Sequence, residues 1–309
     1  MRESSATVVV SGTINVDTFV GVENFPNPGE TVIGTRGIEG LGGKGANQAV
    51  ACAHLGVRTV LLSAVGQDSQ GELAITQLKQ HGVNTEHVAE TRHPTGQAFI
   101  MNDQSGENII IVTSGANALV SPAQQRKTVD MLRSQGPVPV VLAQGELTPD
   151  HSAELPRLVA GTDTRLVLNL APVTTRDRDL IAAADPLILN EGEAADVLGV
   201  PRDTPLEEIF AALHGIAKSV VVTLGPQGAV ILTQDAEPVR VPAVRVQNVV
   251  DTTGAGDAFC GTLAAALAQG ESLEEACRLG AAAGALATQK AGAAGSYASE
   301  LEVRALAEE

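Results

Sequence analysis

Residues 251–261 read Asp-Thr-Thr-Gly-Ala-Gly-Asp-Ala-Phe-Cys-Gly, and an apolar, Ala-rich stretch follows to about Gln269. Three small residues, Gly254, Ala255 and Gly256, stand directly before the carboxylate of Asp257. The pattern predicts a helix opening at these residues, with its first N–H groups free to converge on an anion that the helix dipole also favours. Asp257 then falls in the first turn, beside that anion. A carboxylate repels an anion and so is no binder for it. As a general base it would take the proton of a hydroxyl attacking a phosphoryl group. The same residues also suit an ordinary Asp-capped helix with glycine-rich packing, and the spacing alone does not separate the two readings.

The rest of the composition narrows the field. The chain has 309 residues, 44% hydrophobic and 18% charged, which is a globular and not a disordered balance. That length is large for one core but within reach of an α/β domain. With five Phe, one Tyr and no Trp, the interior must be built from Val, Leu, Ile and Ala. A net charge of −16 argues against nucleic acid or an anionic membrane as partner, since both call for a basic footprint. Nucleotide phosphates would have to be met by backbone dipoles, a few cations and Mg²⁺. Cys52, Cys260 and Cys277 are odd in number and widely spaced, which fits a reducing compartment. The polar start, Met1 to Thr7, runs straight into a strand, so no signal peptide is expected. No uncharged apolar run reaches the roughly 18 residues of a membrane span. A cytoplasmic protein is the expectation.

Short Val- and Leu-rich runs alternate with helical patterns along the chain. Strands are expected at 8–10, 59–64, 138–142, 166–170, 187–189 and 220–224, with helices over 44–55, 70–80 and much of 254–291. This rhythm predicts a mainly parallel sheet covered on both faces, a three-layer α/β/α sandwich. Two segments break it. Residues 14–41 and 96–112 alternate apolar and polar positions, the second around Gln104-Ser105-Gly106-Glu107, and read as a small protruding β-sheet. Such a sheet serves as a lid over a site, as a dimer surface, or as both. No repeat or linker divides the chain, so residues 1–309 are read as one domain.

A second small-residue helix start is Gly42-Gly43-Lys44-Gly45-Ala46-Asn47. Lys44 brings a cation to a helix N-terminus, which is unfavourable unless an anion or polar ligand is present. This is not a Walker loop, because Ile38 and Gly45 occupy the positions that require Gly and Ser/Thr. Nor does a Gly-x-Gly-x-x-Gly follow the first strand. Upstream, Asn15 and Asp17 are two apart and share one side of an extended segment. They can grip neighbouring hydroxyls or simply end a polar strand.

The chain resembles the ribokinase (phosphofructokinase-B type) family of ATP-dependent sugar and nucleoside kinases over nearly its whole length. Seven blocks in family order carry the resemblance: Gly12–Asp17, Pro28–Thr31, Gly42–Ala49, Asn169–Pro172, Asn190–Ala194, Thr223–Gly225 and Asp251–Gly261. It implies transfer of the ATP γ-phosphoryl group to the primary 5-hydroxyl of D-ribose. Asp257 matches the family's base, and Gly254, Ala255 and Gly256 its anion hole. Asn15, Asp17, Gly43, Lys44, Asn47 and Glu146 match the sugar-binding positions. Asn190 and Glu193 match the pair that positions hydrated Mg²⁺, and read alone they form a helix capping box. Asn190, Thr223, Gly225, Gly228 and Gly256 match nucleotide contacts. Asp251, Thr253, Gly292 and Ser296 fall where the family binds an activating monovalent cation, K⁺. There the match loosens by one extra residue, and Tyr297 replaces a small apolar residue. The family also implies a homodimer through the lid strands.

Other acceptors in the same chemistry are deoxyribose, a ketose, a keto-sugar acid or a nucleoside. The amide of Asn15 suits a hydroxyl on the sugar's second carbon. A nucleoside needs apolar walls, for which Phe99 is the candidate, although packing within the lid also explains it. A catalytically silent sugar sensor would need neither Asp257, nor the small-residue cradle, nor the Asn190/Glu193 pair.

Overall fold

The computed structural model describes residues 6–104 and 107–308. In chain order the strands are β1 (Thr7–Ser11), β2 (Asn15–Gly21), β3 (Thr35–Gly42), β4 (Arg58–Gly66), β5 (Val88–Thr91), β6 (Gly96–Asn102) and β7 (Asn108–Thr113). They continue as β8 (Val140–Gln144), β9 (Arg165–Asn169), β10 (Ala184–Asn190), β11 (Ser219–Thr223), β12 (Ala229–Thr233) and β13 (Ala236–Val241). Nine of them form the central sheet, in the order β13-β12-β11-β10-β9-β8-β1-β4-β5. Every neighbour pair from β11 to β5 is parallel, as the strand rhythm predicts. The antiparallel pair β12–β13 closes one edge, and short β5 the other. Neither edge was legible in the pattern: β5 has four residues, and β13 is exposed along most of its length.

Each central strand is apolar on both sides, because helices cover both faces. Val8 and Val10 of β1 point into one core and Val9 into the other. The first core lies beneath the helices Lys44–His54, Ser69–Gln80, Ala255–Ala268, Leu273–Ala287 and Glu300–Ala307. The second lies beneath Pro122–Gln135, Arg178–Ala183, Glu191–Leu198 and Leu206–Leu213. This is the expected three-layer sandwich. The sheet order reverses between β1 and β8, and ligands of open α/β sheets bind beyond the strand C-termini at such a switch point.

The second sheet, β3-β2-β6-β7, is built from the two segments that break the α/β rhythm. Of the expected turn at 104–107, Ser105 and Gly106 lie outside the described residues. Register assigns its faces. Asp17 pairs with Gly40 and Ala98, whereas Thr18 pairs with Glu39 and Phe99. Phe99 therefore stands on the lid face opposite Asp17, because paired residues share a side. Side chains Ile109 to Val112 of edge strand β7 are all exposed.

Two helices meet closely beside the switch point. A Cβ on Gly261 would fall 2.4 Å from the carbonyl oxygen of Gln48, so glycine there lets the Ala255–Ala268 helix press against the backbone of Lys44–His54. The thiol of Cys52 donates to the Gly261 carbonyl at 3.1 Å across the same contact. All three cysteines are buried thiols.

Candidate active site

The Ala255–Ala268 helix begins where the sequence predicts. Gly254, at φ 77, is its N-cap in the left-handed region. A Cβ there would also lie 2.7 Å from Ala293 Cα, so both conformation and space require glycine. The N–H of Ala255 bonds to the Thr252 carbonyl at 3.2 Å, whereas those of Gly256 and Asp257 have no acceptor among the described residues. Gly256 faces open space. Two of the expected cradle N–H groups are thus free for an anion, and that of Ala255 is already engaged.

Asp257 is buried in the first turn of this helix. Its Oδ2 accepts from Asn47 Nδ2 at 3.1 Å and its Oδ1 from Gln48 Nε2 at 2.9 Å. Lys44 Nζ lies 3.7 Å from Oδ1. The carboxylate so near raises the Lys44 ammonium well above its ordinary range. The cation that looked misplaced at a helix start is therefore matched by a carboxylate from another helix start.

The start of the Lys44–His54 helix packs closely on the β1–β2 junction. Gly43, its N-cap at φ 85, would place a Cβ 2.7 Å from the Asn15 nitrogen. Glu146 Oε2 accepts from the Lys44 N–H at 2.9 Å and from the Thr13 hydroxyl. The Asp17 carboxylate lies over Gly42, where any side chain would collide with it. Burial, with Glu146 and Asp257 nearby, pushes the Asp17 carboxyl up to about 6. Asn15 Oδ1 is taken by Asn117 Nδ2 at 2.8 Å, so its own Nδ2 is the end left for a ligand. Asn47 Oδ1 is buried with no partner among the described residues. Carboxylate acceptors, one amide donor and one open amide acceptor therefore converge within reach of Asp257.

Asn190 and Glu193 form the reciprocal capping box, with both bonds at 2.8 Å. One oxygen of each is used there, leaving Glu193 Oε1 and Asn190 Nδ2. Burial raises the Glu193 carboxyl above its usual range, which makes a nearby cation welcome. The set fits a Mg²⁺ held through its own waters. Thr223 ends β11, and the turn Gly225–Gly228 joins it to β12 at the same strand edge.

Asp251 binds the 290s loop to the entrance of the Ala255–Ala268 helix. Its Oδ1 accepts from the Thr253 N–H and its Oδ2 from the Gly292 N–H, both at 2.9 Å. Although partial burial opposes it, these backbone donors hold its carboxyl below the usual range. Ser296 is buried and turns its hydroxyl to the Ala293 carbonyl at 2.7 Å. An anionic carboxylate is a chemically suitable oxygen ligand for a monovalent cation. Tyr297 fills the space behind Gly254, its buried hydroxyl having no partner among the described residues.

Four polar residues of the site were not anticipated: Gln48, Asn117, Gln144 and Asn169. Gln48 is four residues after Lys44 and so on the same helix face, which was a usable signal. Asn117 clamps the β1–β2 junction, bonding both the N–H and the carbonyl of Ile14 at 2.9 Å. Nothing in its local sequence marks it.

A buried carboxylate beside free helix-start N–H groups, with further polar side chains around it, is an arrangement that suits a phosphotransferase acting on a hydroxyl. The chain belongs to the pfkB family of carbohydrate kinases, whose profile matches residues 5–300. It is similar to the ribokinase of Haemophilus influenzae, 35% identical over 302 residues and covering 96% of each chain. The ribokinase of Bacillus subtilis is 34% identical, covering 97% of this chain and 98% of the relative. The ribokinase of Arabidopsis thaliana complexed with ribose and ATP superposes with a TM-score of 0.88, at 31% identity and 98% coverage of both chains.

Proposed function

We propose that the protein transfers the γ-phosphoryl group of ATP to the primary 5-hydroxyl of D-ribose, giving ribose 5-phosphate. The observation that carries this reading is the position of Asp257. It is buried, held by Asn47 and Gln48, and next to the free N–H groups of its own helix start. The base takes the hydroxyl proton, and the free N–H groups stabilise charge on the transferring phosphoryl group. Asn15, Asp17, Gly43, Lys44, Asn47 and Glu146 hold the sugar. The Nδ2 donor of Asn15 suits a hydroxyl on the second carbon, which supports ribose over a deoxy-sugar. Phe99 lies on the far face of the lid and so is not placed to wall a nucleoside base.

ATP lies along the strand edge marked by Asn190, Thr223, Gly225 and Gly228, with Mg²⁺ near Asn190 and Glu193 supplying charge neutralisation for its phosphates. Asp251, Thr253, Gly292 and Ser296 hold K⁺, which stiffens the loop behind the anion hole. Lid closure excludes the water that would otherwise hydrolyse the activated phosphoryl group. Two copies pair through the lid, covering the exposed Ile109–Val112 edge. The whole chain acts as one domain in the cytoplasm. Among the described residues no helix is long and apolar enough to cross a membrane.

The test is ADP release with Mg-ATP and a panel of pentoses, hexoses and nucleosides, each with and without K⁺. Release strongest with ribose and raised by K⁺ is the expected result. Strong release with another acceptor reassigns Asn15, Asp17 and Glu146 while keeping the chemistry. Sugar binding without any release leaves a sensor.

A further inference from the structure

A chain of buried amides runs from the central sheet to Asp257. Asn169, at the end of β9, donates from Nδ2 to the Ile188 carbonyl at 3.3 Å. A carbonyl can only accept, so Asn169 Oδ1 must face the other way, toward Gln48. Gln48 Nε2 donates to it at 3.0 Å and, with its second hydrogen, to Asp257 Oδ1 at 2.9 Å. Gln48 Oε1 in turn accepts from Gln144 Nε2, at the end of β8, at 2.9 Å. Each step leaves the next amide one orientation. The direction begins at a strand carbonyl and ends at the carboxylate. Gln48 is fully buried, Gln144 and Asn169 nearly so.

We infer that Gln48 is a positioning residue for the reaction: its amide, locked by Asn169 and Gln144, orients the Asp257 carboxylate toward the acceptor hydroxyl. The inference rests on the reading of Asp257 as the base. Asn47 and Lys44 also contact Asp257 and are the residues proposed to hold the sugar. Gln48 reaches Asp257 from the protein side, where its hold persists whatever is bound. The close helix contact at Gly261, one turn beyond Asp257, brings Gln48 into range. The charged and titratable groups that feel the Asp257 carboxylate are Asp17 from the lid, Lys44 from its own helix start, Glu193, Cys260 and Tyr297. None of them is bonded to Gln48.

The test uses Gln48→Met, which keeps length and apolar packing but removes every donor, and Asn169→Ala, which frees the amide without emptying its place. Turnover, ribose KM and the ¹³C carboxylate titration of Asp257 in sugar-free protein are measured. The Asp257 resonance is assigned by its loss in Asp257→Asn. In Gln48→Met, kcat is expected to fall 10- to 100-fold with ribose KM changed less than threefold. The Asp257 titration moves upward by half a pH unit or more, because a donor to the charged form is gone. Asn169→Ala shows smaller changes of the same sign, and carries the test if Gln48→Met is not recovered folded. On the Asp257→Asn background, Gln48→Met costs no further turnover. An unchanged titration, or an equal loss on both backgrounds, overturns the positioning role. If Asp257→Asn turns over like the parent protein, the base assignment itself fails, and the titration still reports whether Gln48 holds that carboxylate.

Discussion

Lys44 Nζ stands 3.7 Å from Asp257 Oδ1, joining the starts of two helices that are far apart in the chain. Each start is electropositive, so Asp257 suits its own helix while Lys44 does not. The pairing offsets that cost and sets a cation beside the carboxylate proposed as the base. Removing the cation should therefore weaken the base on the acid side. In Lys44→Met, kcat/KM for ribose is expected to drop at least 10-fold, and its acid limb to move to higher pH. A pH–rate profile from 5 to 9 checks this. An acid limb that stays in place would show that Lys44 serves ligands alone.

Asp257→Asn keeps the shape of the site and removes the proton acceptor. Turnover should fall by about 10²–10⁴, the usual range for a general base. Ribose affinity, measured calorimetrically without ATP, should change little.

Asp17 supplies a pH signature. Its carboxyl is raised to about 6 from the usual 3.8, chiefly by burial and then by Glu146 and Asp257. A folded value above the unfolded one means that its contribution to stability is full below about 3.8 and is lost as pH rises through about 6. Ligand binding runs the other way, since the ionised carboxylate is the better acceptor of sugar hydroxyls. Ribose affinity should therefore tighten as pH rises through about 6, while the sugar-free protein loses stability over the same interval. Asp17→Asn should flatten both curves. Calorimetric titration and thermal melts from pH 5 to 8 measure the two together.

Tyr297 buries a hydroxyl that has no partner among the described residues. Tyr297→Phe removes only that group. An unpaired buried hydroxyl costs about 1–3 kcal/mol, so the variant should be more stable by about 1 kcal/mol in the absence of ligands. Thermal unfolding without added K⁺ or nucleotide is the measurement. A lower Tm would reveal a partner for the hydroxyl.

Asn117 holds the backbone of Ile14 and the side chain of Asn15 in one hydrogen-bonded clamp. Asn117→Ala leaves those buried groups unsatisfied and should cost about 2–3 kcal/mol in denaturant unfolding. Ribose binding should weaken with it, because Asn15 loses the contact that fixes which end of its amide faces the ligand.

Much of this protein was decided by local spacing. The parallel core, both small-residue helix starts and the split of the lid into two segments follow from periodicity and from where glycines fall. Asp257 was singled out by the small residues before it, although that spacing suited an ordinary capped helix equally well. The Asn190–Glu193 capping box follows from a three-residue spacing. Tertiary structure decided what local spacing does not encode: which helix starts face one another, which amides join them, and which lid face Phe99 occupies. Lys44 meets Asp257, and Gln48 reaches it, only because Gly261 lets two helix backbones approach closely. Gln144 and Asn169 enter the site at the ends of two strands distant in sequence, and Asn117 from a 3-10 turn after β7. Their hydrogen bonds depend on that three-dimensional placement, and a polar residue at a strand end reads the same in sequence whether it faces solvent or a base.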